Sequence, residues 1–393
     1  MAAGALMPDG AQERELLERH LPVLRYDSQG SFMADSCAVL TDRVANDGAV
    51  ASCLKRADGT LIASAAPKPP LAKLELGFLC APAYGDGTPG SRSDLLDAVG
   101  RDYVLQAREM HRPPLADRVY GHAVRAADEG WWLQYWFFYL YNNKAFLGFG
   151  LHEGDWEMVQ VRLGPDSAPQ AMAFAQHSHG QRCRWELVEK RAQRPVVYVA
   201  RGSQASYSFP GRHKAPIVPD HADGKGPEVA DPALELISDA EPAWVAWPGR
   251  WGSSKARNAA ESNSPRGPAH QDKWSDPETF HDECDEIEPR RLARAPAPQA
   301  PQRPEITARR EGDHAVISYR ITASRAHPQP VQLVLTLDSP QDGLPPATYA
   351  RVVEAASGDI EHPLPLEEGR YTVLVSAADR EGNSSDVAVS ELE

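Results

Sequence analysis

The pattern of apolar and polar positions along the chain predicts strands more often than helices. The segment WWLQYWFFYLY (131–141) is apolar on both faces, which predicts a central strand covered by protein on each side. Three shorter segments follow, each bounded by Gly, Pro, Asp or Ser: VQVRL (159–163), QAMAFAQ (170–176) and RPVVYVA (194–200). Strands that follow one another without helical periodicity predict sheet stacked on sheet or on loops, not alternating βαβ units.

The pattern before residue 131 is mixed, and the pattern after residue 207 is mostly polar. An amphipathic helix is predicted at 11–24, a strand at 71–80, and a helix or turn-rich connection at 93–111. Segment 208–285 has little periodicity but carries four tryptophans. These rings predict that the segment wraps the sandwich and is pinned by them; partial disorder is the alternative. The four tryptophans are Trp244, Trp247, Trp251 and Trp274.

A Pro/Ala-rich stretch at 290–304, RRLARAPAPQAPQRP, predicts an extended linker between two domains. Beyond it, about seven short strands alternate in period 2 within 305–393, which is typical of an immunoglobulin-like or fibronectin-III-like sandwich. The predicted fold is therefore all-β. An N-terminal β-sandwich with long wrapping loops (1–289) is joined to a C-terminal immunoglobulin-like β-sandwich.

Composition and charge narrow the function classes. The 393 residues carry a net charge of −14, which argues against a nucleic-acid partner because such a partner requires a basic surface. Anionic membranes would repel the chain unless a cation bridged them. No uninterrupted apolar run reaches the roughly 18 residues of a transmembrane helix. The sequence carries no signal for the oligomeric state.

The cysteines and the first residues predict a cytoplasmic protein, although export without a cleaved signal remains an alternative. The chain begins with neither a basic n-region nor a long apolar region. Five cysteines, an odd number without a CxxC pair, indicate free thiols. Cys183 lies between Arg182 and Arg184, where it is predicted to be a surface or edge cysteine, with a reactive thiol of depressed pKa as the alternative. The cysteines are Cys37, Cys53, Cys80, Cys183 and Cys284.

The segment LHEGDWEMVQVRL (151–163) carries the main candidate chemistry. Asp155 and Glu157 fall on the same face of the predicted strand as apolar Val159 and Val161. Burying two carboxylates together is costly unless a cation binds between them, a basic side chain pairs with them, or one of them stays protonated.

An imidazole precedes the two carboxylates. A bulge at Gly154 would bring His152 onto the face of Asp155 and Glu157. One imidazole and two carboxylates form a workable divalent-cation set, which suits Mg²⁺ or Ca²⁺ best and also permits Mn²⁺ or Zn²⁺. A structural ion pair is the alternative.

The HxxDWE motif resembles the GHRHDWE heptapeptide of the necrosis- and ethylene-inducing peptide-like proteins. Those are β-sandwich toxins that hold a divalent cation at one end and bind sphingolipid head groups. The whole ordered set of segments over about 14–285 is more similar to the vacuolar protein sorting-associated protein sixty-two family, as a bacterial-type member. The segments are ERHLPVLRYDSQGSFMADS (18–36), WWLQYWFFYLYNN (131–143), LHEGDWEMVQVRL (151–163), AQHSHGQRCRWE (175–186), RPVVYVARGSQASY (194–207) and WPGRWGSSK…SPRGP (247–267).

The resemblance to the toxins implies roles for individual residues. His152 corresponds to the first His of the heptapeptide, Asp155 to its Asp and Glu157 to its Glu, which implies that the three bind the metal. Gly154 stands where the heptapeptide has its second His. Trp156 is expected to pack rather than to stack on a ligand.

Five further residues complete the implied site. An upstream Asp of the toxins corresponds to the YNNK region, where Asn142 or Asn143 would have to replace it through an amide oxygen. Gln204 stands where a His is expected in relatives, and Gln neither exchanges protons at neutral pH nor serves as a usual transition-metal ligand. His177 and His179 would lie at the same rim as His152; the alternative is that they are turn histidines bonded to the backbone.

The leading hypothesis is a divalent-cation-dependent recognition module for a glycan, a lipid head group or a similar oxygen-rich ligand. The first alternative is a metal-dependent hydrolase that uses a metal-bound water with Glu157 or His177 as base. The second is a structural scaffold protein without a metal. No GxGxxG, Walker or GxSxG motif supports nucleotide binding or serine hydrolysis.

Overall fold

The structure is a computed structural model, and it describes most of the chain. The described residues are 9–41, 52–64, 74–99, 102–144, 151–176, 179–215, 219–253, 264–278, 282–283, 300–322, 331–339, 344–364, 369–379 and 382–392.

Strands dominate these residues, and short helices connect some of them. The α-helices are α1 (Asp9–Arg19), α2 (Tyr103–Met110) and α3 (Asp272–Ser275). The strands are β1 (Val23–Tyr26), β2 (Cys53–Lys55), β3 (Leu61–Ser64), β4 (Leu95–Asp97), β5 (Arg118–Arg125), β6 (Trp131–Asn142), β7 (His152–Leu163), β8 (Pro169–Gln176), β9 (His179–Arg184), β10 (Lys190–Arg191), β11 (Arg194–Val199), β12 (Ser206–Tyr207), β13 (Gly211–His213), β14 (Asp220–Ala222), β15 (Glu228–Val229), β16 (Ala233–Leu236), β17 (Asp282–Glu283), β18 (Glu305–Glu311), β19 (His314–Arg320), β20 (Val331–Asp338), β21 (Ala347–Val353), β22 (Ser357–Pro363), β23 (Tyr371–Ala378) and β24 (Ala388–Leu392). The predicted all-β sandwich class is confirmed.

A seven-stranded sheet in the order β16-β5-β6-β7-β8-β9-β17 is the centre of the first sandwich. Every residue of β6 is buried, as its two-sided apolar pattern predicts. The antiparallel pairing of β6 with β7 runs from Trp131–Leu163 to Asn142–His152 without a register shift. This continuous register fixes which side chains of β7 face each layer.

A second sheet of five strands packs against one face of the first. Its order is β10-β11-β1-β15, with β12 paired to β11, and β1 runs parallel to β11. The Tyr135 hydroxyl of β6 donates a hydrogen bond to the Leu17 carbonyl, 2.9 Å away, just before β1. The odd-numbered residues of β6, and those paired with them on β7, therefore face the interior between the two sheets.

The wrapping segment covers the other face with aromatic rings, as predicted. Trp244, Trp247, Trp251 and Trp274 are all buried. Trp156 packs among them, with its ring centroid 5.8 Å from that of Trp244 and 5.5 Å from that of Trp251. The prediction that Trp156 is a packing residue is confirmed.

The elements before residue 131 differ from their predictions. The first helix ends at Arg19, and 23–26 is a strand, because Pro22 disfavours helical conformation in the residue before it. Within 71–80, the described part contains a single 3₁₀ turn at Leu76–Phe78 and no strand. Segment 93–111 divides into strand β4 and helix α2, whose N-cap is Asp102.

The C-terminal strands form two sheets, β18-β19-β22 and β21-β20-β23-β24. Their assignment as an immunoglobulin-like domain stays a prediction, and most of the proposed linker lies outside the described residues. Gln29 of the first sandwich forms hydrogen bonds with the C-terminal sheets. Its amide donates to the Val334 carbonyl at 3.0 Å, and it accepts from the Ser376 hydroxyl at 2.7 Å.

The cysteine predictions need a correction. Cys183 is buried and disulfide-bonded, so it is neither a surface cysteine nor a reactive thiol. Cys37, Cys53 and Cys80 are not disulfide-bonded, and Cys284 lies outside the described residues. Disulfides are typical of oxidising compartments, and the cytoplasmic location stays a prediction. In the described part of the chain, no helix is long and apolar enough to cross a membrane.

Candidate functional site

Two carboxylates of β7, those of Asp155 and Glu157, point into the interior between the two sheets. Glu153, Asp155 and Glu157 alternate along the strand and are all buried. Tyr139 of β6 lies opposite Asp155, and Phe137 lies opposite Glu157. The prediction that Asp155 and Glu157 share the core face is confirmed. Glu153, which is also buried, bonds instead to Ala98, Tyr103 and Ser253, and it was overlooked.

Asn142 holds Asp155 through its NH₂ group and not through the amide oxygen that was expected to bind a metal. The Asn142 side-chain NH₂ donates to Asp155 Oδ2 at 2.9 Å, and Asn142 Oδ1 accepts from the Lys144 backbone N–H at 3.1 Å. The Asn143 and Lys144 N–H groups also donate to the Gly202 carbonyl, which brings the RGSQASY turn against the end of β6. The structure thus joins two regions that the resemblance implied.

Glu157 is the least satisfied of the buried acids. Its Oε2 is inaccessible to solvent and has no hydrogen-bond partner among the described residues. Burial raises the pKa of Glu157 well above its usual value; the charge of Lys273 opposes this shift, and the charges of Asp155 and Asp220 add to it. The site therefore favours either a protonated Glu157 or a cation beside it.

Asp220 completes the acidic cluster from a different part of the chain. Its carboxylate accepts hydrogen bonds from Lys144 Nζ at 2.8 Å, Ser203 Oγ at 2.5 Å and the Tyr207 hydroxyl at 2.7 Å. We call Asp155, Glu157 and Asp220 the interior acid cluster. Sequence reasoning missed Asp220, because it lies in an irregular polar segment that offers no periodic signal.

Gln204 lies in the turn that supplies Ser203. It is buried, adopts a φ of 54°, and its Oε1 lacks a hydrogen-bond partner within the described chain. A left-handed backbone is costly for a residue other than glycine, and such strain is concentrated at functional sites. The amide oxygen of Gln204 is available as an oxygen ligand.

The histidines do not join the interior acid cluster. Without a bulge, His152 keeps the opposite parity to Asp155, and its Nδ1 lies 2.9 Å from the Gly154 carbonyl. Among the described residues, His152, Asp155 and Glu157 do not bring ligand atoms within 4.8 Å of one another. His179 is exposed at the start of β9, and His177 lies outside the described residues.

A second group of possible ligands lies elsewhere. Asp35, His111 and Asp117 each offer an atom within 4.8 Å of the other two. His111 Nδ1 is 2.9 Å from Asp35 Oδ1, and His111 Nε2 is 3.9 Å from Asp117 Oδ1. Burial lowers the pKa of His111, but the hydrogen bond and charge of Asp35 outweigh it, so the pKa is raised. Sequence reasoning missed this group, whose members come from two connections: Asp35 lies between β1 and β2, and His111 and Asp117 lie between α2 and β5.

Comparisons with known proteins give limited similarity. No family model matches this chain. It is similar to the Saccharomyces cerevisiae protein TDA6, which carries a vacuolar protein sorting-associated name, at 33% identity over 138 residues. That match covers 28% of this chain and 29% of TDA6, so the chain spans under a third of that relative's length. The similarity covers only part of the chain, so it gives only weak support for the vacuolar protein sorting-associated name.

One solved structure shares a small part of the backbone. It is a family 76 glycoside hydrolase from a bovine Bacteroides thetaiotaomicron strain, with 13% sequence identity and a TM-score of 0.20. The match covers 24% of this chain and 20% of the hydrolase. A TM-score this low does not indicate a shared fold, and nothing about function follows from it.

The metal-free protein is expected to become less stable relative to Glu157→Gln as pH rises. The pKa of Glu157 is raised in the folded state, so its protonated form contributes stability below about 4.5, and this contribution is lost as pH increases. In the presence of chelator, the free energy of unfolding of the variant should rise relative to that of wild type by up to about 1.4 kcal/mol per pH unit. Urea unfolding at pH 4, 5, 6 and 7 measures this difference. A constant difference across that range would contradict the assignment.

Proposed function

We propose that the protein is a divalent-cation-dependent recognition module whose ion is bound by Asp155 and Glu157. The observation that carries this proposal is the buried Glu157 carboxylate, which lacks a hydrogen-bond partner at Oε2 and lies in the field of two other acids. A divalent ion would supply the missing positive charge. Oxygen ligands suit Mg²⁺ or Ca²⁺ best, with Mn²⁺ or Zn²⁺ as weaker candidates.

The charge balance of the interior acid cluster supports this proposal. Of its three carboxylates, Asp220 already has an ammonium partner in Lys144, whereas Asp155 has the neutral amide of Asn142. Buried negative charge in such excess requires a proton or a cation. Asp155, Glu157 and the amide oxygen of Gln204 would provide the protein ligands, and His152 would lie outside the first coordination sphere.

The recognised ligand would be a glycan, a lipid head group or a similar oxygen-rich molecule. Asn143, Lys144 and Gly202, beside the cluster, line a cavity of about 90 Å³ between the two sandwiches. Lys144 and Arg201 in this lining could pair with hydroxyl or phosphate oxygens, and the cation would offset the repulsion that a net charge of −14 exerts on anionic ligands.

Thermal unfolding of the full chain tests the cation. After chelation, Ca²⁺ or Mg²⁺ at 100 times its dissociation constant should stabilise wild type by about 2.7 kcal/mol. Asp155→Asn preserves shape but removes a charged ligand, so its midpoint should not respond. Asp166→Asn, at an exposed turn, should respond as wild type does.

Two outcomes would contradict the proposal. If neither ion moves the wild-type midpoint, the interior acid cluster is a metal-free brace. If the stabilised protein turns over ester or phosphoester probes in an ion-dependent way, the metal-dependent hydrolase replaces the recognition module. Retention on glycan arrays or lipid vesicles that is lost in chelator would support recognition.

A further inference from the structure

We propose that His111 and Asp117 bind a divalent transition-metal ion, of which Zn²⁺ is the best probe, while Asp35 positions the imidazole. This site is separate from the interior acid cluster, uses different residues, and favours a different kind of ion. An imidazole with carboxylates suits Zn²⁺, whereas an all-oxygen set suits Mg²⁺ or Ca²⁺.

The orientation of His111 is the first reason. Its Nδ1 is 2.9 Å from Asp35 Oδ1, so a neutral ring donates its proton there and leaves the Nε2 lone pair free. Nε2 faces Asp117 Oδ1 at 3.9 Å. Histidines that bind metals almost always donate their other nitrogen to a carboxylate or carbonyl, as His111 does to Asp35.

The ligand spacing is the second reason. Two ligands that are each about 2.1 Å from a tetrahedral ion lie about 3.4 Å apart. The observed 3.9 Å between His111 Nε2 and Asp117 Oδ1 must therefore close by about 0.5 Å. The Asp117 side chain is 36% exposed, so a small rotation of it can supply this movement.

The fixed position of Asp35 is the third reason. Its backbone N–H donates to the Phe138 carbonyl of the central strand at 3.0 Å, and its Oδ1 also accepts from the Asp117 N–H at 3.1 Å. A buried carboxylate anchored on β6 holds the His111 ring in one orientation. Preorganisation of this kind raises metal affinity, because less conformational freedom is lost on binding.

Charge is the fourth reason. Two carboxylates and a neutral imidazole carry a charge of −2, which matches a divalent ion. Within the described part of the chain, the neighbouring Arg118 pairs with Glu235 rather than with Asp117. Asp117 Oδ1 is inaccessible to solvent and has no hydrogen-bond partner there, so one ligand atom is left unsatisfied by the protein itself. The remaining coordination positions would hold water or an oxygen-rich ligand.

Calorimetric titration of Zn²⁺ into the chelator-treated full chain tests the site. The titration uses the Glu157→Gln background, so that the interior acid cluster contributes no binding. One equivalent of Zn²⁺ should bind, and His111→Gln and Asp117→Asn should each weaken the affinity at least about 10-fold. Bound Co²⁺ should give the visible absorption of a low-coordinate nitrogen–oxygen site, and both variants should lose it.

A matched control separates this site from adventitious zinc binding. His314 also lies beside an aspartate, with Nδ1 2.6 Å from Asp313 Oδ1, but the pair is exposed. His314→Gln should therefore bind Zn²⁺ as its parent does. Absence of Zn²⁺ binding, or equal affinity in Asp117→Asn, would overturn the proposal and leave the group as an ion pair. Asp117→Asn keeps the test decisive if His111→Gln does not fold, because Asn tolerates the φ of 54° at that position.

Discussion

Gly154→Ala is expected to lower the free energy of unfolding by about 2 to 5 kcal/mol. A Cβ at this position would lie 1.9 Å from the Trp251 carbonyl oxygen, a backbone atom that cannot rotate away. Overpacking costs about 1 to 3 kcal/mol. The φ of +57° adds about 1 to 2 kcal/mol for a residue with a Cβ. Urea unfolding of the variant beside wild type measures the sum.

Gly312→Ala separates the two contributions. Gly312 has a φ of +64°, and a Cβ there would meet no atom within 4 Å, so this variant carries the backbone strain without the overlap. It should lose only about 1 to 2 kcal/mol. Equal losses in the two variants would show that the close approach of Trp251 to β7 is relieved easily, contrary to our expectation.

The same geometry explains why the motif departs from the toxin heptapeptide. Position 154 carries the second His in that heptapeptide, and here no side chain fits between β7 and the Trp251 carbonyl. The predicted role of Gly154 was a bulge that would turn His152 towards the carboxylates. The observed role is a close contact with the wrapping segment, and His152 keeps its alternating position.

Periodicity was sufficient to predict three neighbouring strands of the central sheet, β6, β7 and β8, but not the other four. Strand β6 has apolar residues on both faces because it is covered on both faces. The short strands β2 and β4 were missed, since three residues are too few to display a period. Helix α1 was predicted too long, although Pro22 marks its end.

Alternation predicted only part of the candidate site. It placed Asp155 and Glu157 on the core face, because parity along a strand is a local property. Asp220 and the Asp35–His111–Asp117 group depend on contacts between distant, irregular segments, for which one sequence gives no local signal. The bulge hypothesis also predicted the wrong direction for the His152 side chain. Whether a strand bulges depends on its register with the partner strand, which is not a local property of the sequence.

Glu153→Ala is expected to lower the free energy of unfolding by at least about 3 kcal/mol at pH 7. Its carboxylate accepts from the Ala98 N–H at 2.9 Å, from the Ser253 N–H at 3.0 Å, and from the Tyr103 hydroxyl. One buried side chain thus joins β7 to the segment after β4, to α2 and to the wrapping segment. Removing it leaves the Ala98 and Ser253 N–H groups without their acceptor and takes one acceptor from the Tyr103 and Ser253 hydroxyls. Each unpaired buried donor costs about 1 to 3 kcal/mol.

Glu157→Gln is the control, because Glu157 is another buried carboxylate of the same strand, four residues later. Its Oε2 serves no donor in the described structure, so removing its charge should not destabilise the metal-free protein at pH 7. Urea unfolding of both variants in chelator makes the comparison. If Glu153→Ala costs under about 1 kcal/mol, the donors around it find other acceptors. If Glu157→Gln is the more destabilising, then Glu157 is the structural carboxylate and the proposed cation has no vacant ligand to bind.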